Sequence, residues 1–456
     1  MKTENIVKKQ RSYYNEGNTL SYKSRKQALK KLYNAISEYE EDIKKSLYKD
    51  LNKSPEEAYL TEIGVTLKEI SYQLKNLKKF MKRKRRKTGV ANFPARSFIS
   101  PHPYGVTLIM SPWNYPIYLT LGPLAGAIAA GNTAIIKPSN YSPATSDVIA
   151  ELIKKNFPNE FLTVVKGGRE ENQDLLNQKF DYIFFTGSTH VGKIVMEKAA
   201  KNLTPISLEL GGKSPTIVTE DINIDLAAKR IIFGKLINTG QTCVAPDYLF
   251  IKEDMKKDFI KSAIKYIEEF FTKNPLQFKK YGKIINKKHF ERLVSYLDKQ
   301  EIVYGGQTDK EKLKIAPTIL DNVKKDSLIM QEEIFGPILP IITYNELSEV
   351  IDYINSKPNP LALYLFTKSK EKINKVFNQC NFGGGCINDT IMQVASTYLP
   401  FGGVGDSGMG AYHGKASFDT FTHYRSIIKK CTLIDIPLRY FPISKKKEKL
   451  IKKILK

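Results

Sequence analysis

Between Tyr22 and Leu51 the apolar residues Ala28, Leu29, Leu32 and Ile36 recur at the 3.6-residue helical period, which predicts one long amphipathic helix. Ser54-Pro55-Glu56-Glu57 then supplies an N-cap, a proline at the first helical position and first-turn acids, opening a second helix toward Met81. Val90 to Pro103 reads as short and extended. From Gly105 the pattern alternates. Val106–Met110, Thr133–Lys137, Leu162–Val165 and Tyr182–Thr186 are short apolar runs of strand length, with helical patterns such as Ala144–Asn156 and Gly192–Ala200 between them. Repeated strand-helix units predict a mainly parallel, doubly wound α/β sheet. A second series begins at Pro215–Val218 and continues through Val303, Ile338–Thr343 and Ala362–Thr367. The boundary between the two falls near Leu208–Gly212, where Gly211-Gly212 breaks the pattern.

With 456 residues the chain is long enough for two or three packed domains. Met1 to Lys9 has no apolar stretch behind it, and the longest apolar region, Gly105 to Ile136, is interrupted by prolines, an asparagine and glycines. A cytoplasmic, soluble protein is the expectation. The four cysteines, Cys243, Cys380, Cys386 and Cys431, have no metal-ligand spacing, so no metal is expected. The net charge of +25 is concentrated in Lys82–Lys87 and Lys445–Lys456. No nucleic-acid-binding motif accompanies it, so general lysine enrichment accounts for it better than a nucleic-acid partner. The last stretch spaces Leu450, Ile451, Ile454 and Leu455 helically among lysines, which leaves weak contact with an anionic membrane open.

Two glycine motifs invite a nucleotide reading. Gly187 to Lys193 has P-loop spacing, but Ile194 stands where a magnesium-binding hydroxyl belongs; what survives is a glycine turn at a helix N-terminus, suited to a phosphate. Gly403-Val-Gly405-Asp-Ser-Gly408 fits a dinucleotide fingerprint only literally, because no strand precedes it. A tight loop near the active site or a subunit contact is expected there.

Thr239-Gly240-Gln241-Thr242-Cys243-Val244-Ala245-Pro246 carries more. A lone cysteine is usually a small buried apolar residue. Glycine before it and proline after it mark a defined bend, as an exposed nucleophile needs, and a thiol needs a base or a positive dipole to attack well. Glu209, flanked by Leu208 and Leu210 at the domain junction, is a candidate general base if desolvation raises its pKa; pairing with Lys213 is the structural alternative. Asn114, in Ser111-Pro112-Trp113-Asn114-Tyr115-Pro116, sits in a loop fixed by two prolines. It can aim an amide at a developing oxyanion, or simply form an Asx turn.

These segments resemble the signatures of the aldehyde dehydrogenase superfamily, specifically its class 3 branch acting on aliphatic and aromatic aldehydes. The likeness runs from about Glu16 to Tyr424. It includes Lys137-Pro138-Ser139, Phe185-Thr186-Gly187-Ser188, Glu209-Leu210-Gly211-Gly212-Lys213, Glu332-Glu333-Ile334-Phe335-Gly336-Pro337 and Pro400-Phe401-Gly402-Gly403. The resemblance implies Cys243 as nucleophile, Glu209 as general base, and Asn114 with the Cys243 N–H as the oxyanion hole. It also implies NAD or NADP as cofactor, held by Lys137, Asn140, Gly187, Ser188 and Gly192, with Glu333 and Phe335 at the nicotinamide. Glu333 is a second candidate base. Tyr115 and Val394 line the substrate tunnel by the same analogy, which implies medium or long aliphatic or aromatic aldehydes. Asn140 departs from the family's frequent glutamate, and a neutral amide no longer repels a 2′-phosphate.

The implied fold is a variant Rossmann cofactor domain (1–89 and 104–208), an α/β catalytic domain (209–400), a small β oligomerisation element (90–103 and 401–435) and a basic tail (436–456), assembled as a homodimer. A cofactor-independent thioesterase or esterase could use the same Cys243–Glu209 pair but would have no use for Lys137 and the glycine turn. A basic nucleic-acid-binding protein would leave Cys243 idle.

Overall fold

Most of the apolar runs that read as strands become inner strands of two sheets, with Leu162–Val164 and Glu301–Tyr304 at their edges. The computed structural model describes residues 3–455. Val106–Met110, Thr133–Lys137, Tyr182–Thr186 and Pro215–Val218 are buried at every position, as parallel strands covered on both faces must be. The first sheet has six strands, in the order Gly408–Met409, Ile206–Glu209, Tyr182–Thr186, Val106–Met110, Thr133–Lys137, Leu162–Val164. The second has seven, in the order Glu301–Tyr304, Thr318–Asp321, Ile338–Thr343, Tyr248–Ile251, Pro215–Val218, Ala362–Phe366, Gly384–Ile387. Both are parallel except at one edge, where Gly408–Met409 and Glu301–Tyr304 run antiparallel. The expected α/β class is therefore what the chain adopts, and the chain passes from one sheet to the other between Glu209 and Pro215.

Against the first sheet packs the helix Tyr118–Ala130, apolar all round and buried along its whole length. One cluster of buried side chains continues from Ile109, Ile136 and Phe184 of the first sheet, through Leu121 and Leu124 of this helix, to Val218, Leu249 and Ile341 of the second. The two sheets thus share one buried core, and the loop that leads into this helix from Met110 is anchored on it.

Three local expectations need correction. The helix predicted over Tyr22–Leu51 is two, Tyr22–Glu38 and Glu40–Leu51, broken at Tyr39. Glu40, Glu41 and Asp42 crowd the first turn after the break, where acids suit a fresh N-terminus better than a helix interior. The helix opening at Ser54 does form, with the Ser54 hydroxyl accepting from the Glu57 N–H, but a π-helical turn at Tyr59–Ile63 interrupts it before Gly64–Phe80. Part of the basic run, Lys84–Arg86, is a strand, paired with Ala95–Pro103, which also pairs with Thr422–Lys430 in a three-stranded antiparallel sheet. Residues 401–435 thus divide: Gly408–Met409 joins the six-stranded sheet and Thr422–Lys430 the three-stranded one. Among the described residues no helix is long and apolar enough to cross a membrane. The tail forms the helix Lys445–Leu455, with Leu450 and Leu455 exposed.

Candidate active site

Cys243 follows a bend that few sequences would adopt unaided. After the helix Ile224–Leu236, Asn238 and Thr239 both take left-handed backbone (φ 53° and 55°), and Gly240 follows at φ 75°. Non-glycine residues there are strained, and such strain persists only where surroundings enforce it. The enforcement is visible. The Asn238 amide donates to the carbonyls of Asn114 (2.8 Å) and Gln241 (3.0 Å). The Gln241 side chain donates to the Lys283 carbonyl (3.0 Å) and accepts from the Ile285 N–H (3.0 Å). A Cβ on Gly240 would lie 2.2 Å from the Gly336 oxygen, so the cysteine loop rests directly on the segment carrying Glu333 and Phe335.

Asn114 is buried, and its amide donates to the Gln241 carbonyl at 3.0 Å, two residues before Cys243. A primary amide has two N–H donors, so one remains for a ligand oxygen. Tyr115 shares a 2.5 Å hydroxyl–hydroxyl hydrogen bond with Thr242, and Tyr115, Cys243 and Val394 pack against one apolar cluster.

Glu209 ends the strand Ile206–Glu209, buried, with neither carboxylate oxygen hydrogen-bonded to the protein. Burial pushes its pKa well above the usual carboxylate range. The alternative pairing with Lys213 does not form: that ammonium binds Asp247 at 2.6 Å. Glu333 is also raised, to about 8, by burial and then by Asp247, against the Gly212 N–H. Burial raises the Cys243 thiol too, reinforced by the charges of Glu333 and Glu209; its own N–H and that of Val244 act the other way. A thiol and two carboxyl groups of unusual basicity are therefore electrostatically coupled in one crevice.

On the six-stranded side, Lys137 ends its strand with its ammonium on the carbonyls of Pro138 (2.9 Å) and Gly167 (2.8 Å). Asn140 is exposed next to Gly168, where an added Cβ would stand 3.4 Å from the Asn140 amide nitrogen. Ser188 caps the helix Thr189–Ala200, accepting from the Val191 N–H, and Gly187 precedes it. Gly192 is needed for packing: a Cβ there would meet Leu210 at 2.7 Å. Phe335 stands edge-on to Trp113, ring centroids 5.4 Å apart, which joins the Asn114 loop to the Glu333 loop. Glycine turn, Ser188-capped helix N-terminus and Lys137 thus lie along the C-terminal ends of parallel strands, where α/β sheets bind dinucleotides.

The profile of the aldehyde dehydrogenase family matches residues 1–427. The chain belongs to that family. Curated relatives include the 4,4′-diaponeurosporen-aldehyde dehydrogenase of Staphylococcus aureus, 51% identical over 98% of this chain and 97% of that protein. Another is the rat (Rattus norvegicus) aldehyde dehydrogenase family 3 member A2, 44% identical over 94% of this chain and 88% of that protein. Among solved structures, the substrate-bound state of Staphylococcus aureus AldH superposes with a TM-score of 0.98 at 50% identity, covering 99% of both chains. An NAD-dependent aldehyde dehydrogenase from Sinorhizobium meliloti gives 0.86 at 26% identity, covering 95% of this chain and 88% of that one. The chain is an aldehyde-oxidising enzyme.

Sequence reading missed several groups in this aldehyde dehydrogenase site. Asp247 links the ammonium of Lys213 to the Ile334 N–H (3.0 Å), and Arg292 donates to the carbonyls of Glu333 (3.0 Å) and Ile334 (2.7 Å), so the Glu333 loop is clamped from two sides. Asp247 lies four residues past Cys243, a proximity that was available as a signal; nothing local marks Arg292. Lys235 is wholly buried, its ammonium without a hydrogen-bond partner, and burial lowers its pKa to about 8.

Proposed function

We propose that this chain oxidises medium or long aliphatic or aromatic aldehydes to carboxylic acids through a thioester on Cys243, with NAD or NADP. The observation that carries the reading is the convergence of Cys243, the tethered Asn114 amide and the two high-pKa carboxyls in one crevice. The Cys243 thiolate attacks the carbonyl carbon, and the resulting oxyanion is stabilised by the free Asn114 N–H and the Cys243 N–H. Lys137, Asn140, Gly187, Ser188 and Gly192 would hold the cofactor, with Glu333 and Phe335 at its ring, and the cofactor bound there would supply the hydride acceptor for oxidation of the hemithioacetal to the thioester. Glu209, whose oxygens have no other protein partner, takes a proton from water, and the hydroxide hydrolyses the thioester to acid and free thiol. Glu333 is the second candidate for this base.

The apolar surroundings of Tyr115 and Val394, and the exposed Met392, Tyr398 and Leu399 close to Val394 in the chain, favour an apolar substrate. The relative named for 4,4′-diaponeurosporen-aldehyde points the same way. Asn140 in place of glutamate supports use of NADP as well as NAD. Residues 1–89 with 104–208 serve the cofactor and 209–400 the chemistry in this reading. The edge strand Thr422–Lys430, with Ile427 and Ile428 exposed, supports a homodimer; a gel-filtration mass of one chain would refute it. The free thiols fit a reducing, cytoplasmic setting. The exposed apolar residues of the lysine-rich tail helix favour weak contact with anionic membranes.

The deciding experiment follows NADH and NADPH formation across aldehydes of increasing chain length. Turnover should rise with apolar chain length, with both cofactors, and vanish in Cys243→Ala. Normal turnover in that variant would end the scheme.

A further inference from the structure

The N-terminal segment sends three charged side chains beneath the Cys243 loop. Lys53 and Glu62 form an ion pair at 2.7 Å with both side chains fully buried. Lys53 also donates to the Asn114 carbonyl (3.3 Å), and its ammonium stands 4.4 Å from the centre of the Tyr115 ring. The second Glu62 oxygen accepts from the N–H groups of Ile117 (2.8 Å) and Tyr118 (3.2 Å), at the start of the helix Tyr118–Ala130. Glu57 accepts from the N–H of Asn238 (2.6 Å), the first left-handed residue of the cysteine bend.

Three residues on one stretch therefore hold both sides of the crevice, the Asn114 loop and the Cys243 loop. The π-helical turn Tyr59–Ile63 accounts for how the two glutamates reach. In an uninterrupted α-helix, residues five apart point about 140° away from each other. A turn closed between Tyr59 and Gly64 brings positions five apart onto one face, so Glu57 and Glu62 both look inward. A buried ion pair of this kind is weak evidence for stability, since apolar residues of similar volume often replace one without loss. Its retention here matches what it touches.

We propose that Lys53, Glu57 and Glu62 are positioning residues, which fix the Asn114 amide and the Cys243 loop at the spacing that oxyanion stabilisation requires. The proposal rests on the reading of Asn114 as an oxyanion donor and Cys243 as the nucleophile. It places a determinant of catalytic rate in a segment that belongs to neither large sheet. Glu62 orients a helix start, Lys53 ties that start to the Asn114 carbonyl, and Glu57 holds the strained Asn238.

The test compares full-length wild type, Lys53→Met/Glu62→Leu, Glu57→Leu, Glu57→Gln and Asn114→Ala, with aldehyde and NAD as the probes. Thermal unfolding identifies the folded variants. Folded Lys53→Met/Glu62→Leu should lose roughly tenfold or more in kcat, as expected when a reacting group is displaced by a fraction of an ångström. The KM for NAD should stay within about twofold, as expected if only transition-state contacts change. Deuterium at the aldehyde carbon should slow the variant more than the wild type, because the steps before the thioester become limiting. Glu57→Gln, which can still accept from Asn238, should recover most of what Glu57→Leu loses. In an Asn114→Ala background the Lys53/Glu62 change should cost little more, since both act on one contact. Should a folded Lys53→Met/Glu62→Leu enzyme keep kcat within twofold while Asn114→Ala loses it, this proposal fails and the oxyanion reading stands. If Asn114→Ala itself keeps full kcat, the oxyanion reading fails and the proposal falls with it. Where the Lys53/Glu62 pair does not fold, Glu57→Leu against Glu57→Gln decides: equal kcat in the two overturns the proposal.

Discussion

The two halves of the crevice are built to different standards of regularity. From Tyr104 to Leu208, among the described residues, Leu203 alone of the non-glycine residues has left-handed backbone, and it lies away from the cofactor-side groups. From Glu209 to Pro400 such residues include Asn238, Thr239, Phe335, Asn388 and Ile391, and three of these flank Cys243 or Glu333 in the chain. The cofactor side can rely on features that regular structure supplies without strain: strand ends, a capped helix N-terminus and glycines. In the proposed mechanism the chemical side must aim a thiol, an amide and two carboxyls at one carbon, and its backbone is held in place by the surrounding contacts. Where the chain must grip a long ligand, regular elements suffice; where it must present atoms to within a fraction of an ångström, it stores strain.

That contrast can be broken by experiment. Glu209→Gln should lower steady-state turnover by roughly a hundredfold or more while leaving an initial burst of NADH, because hydrolysis and not acylation needs the base. A lost burst would move Glu209 to an earlier step. Gly240→Ala adds about 1–2 kcal/mol of left-handed strain and drives a Cβ into the Gly336 oxygen. It should cut kcat by about tenfold or more and lower the unfolding temperature by several degrees. An alanine as active as glycine would show that the bend is not under load. On the regular side the effects should be smaller and fall on binding. Asn140→Glu should raise the KM for NADP by about tenfold, through repulsion of a 2′-phosphate, with little change for NAD; equal effects on both would refute the assignment.

The last test concerns the pH dependence of stability and not turnover. The Glu333 carboxyl is raised from 4.5 to about 8 in the folded protein. A carboxyl raised on folding binds its proton more tightly in the native state, so the stability it contributes is present at low pH and is lost as pH climbs from about 4.5 to 8. Glu333→Gln should therefore flatten the decline of unfolding temperature across that window. An unchanged slope would mean that the carboxyl is not raised.

Legibility follows the same divide. Val106–Met110, Thr133–Lys137, Tyr182–Thr186, Pro215–Val218 and Ile338–Thr343 were readable to the residue because a buried parallel strand must be continuously apolar. Cys243, Glu209 and Asn114 stood out through local chemistry, glycine and proline around the thiol and apolar neighbours around the acid, and through family likeness. The break at Tyr39 was hidden because its neighbours keep helical periodicity through the interruption. Lys53 and Glu62 were hidden more deeply. Glu62 looks like an ordinary helix-surface residue until the π-turn, which has no composition of its own, turns it inward, and Lys53 lies in the short connection between two helices, where no periodicity reports burial. Arg292 acts on carbonyls 41 and 42 positions away, a contact no local window contains.

The short strand Gly408–Met409 has a bearing on how the enzyme comes to life on the ribosome. It pairs with Leu208–Glu209, and the Leu210 N–H is received by the Ser407 carbonyl (3.0 Å). The edge beside the proposed base is thus completed by residues translated some two hundred positions later. A nascent chain that has exposed everything through Pro400 owns its thiol, its amide and both carboxyls, yet lacks the wall against which Glu209 is seated. Competence should then arrive late and all at once, and a chain released before Gly408 would carry every reacting group without being an enzyme.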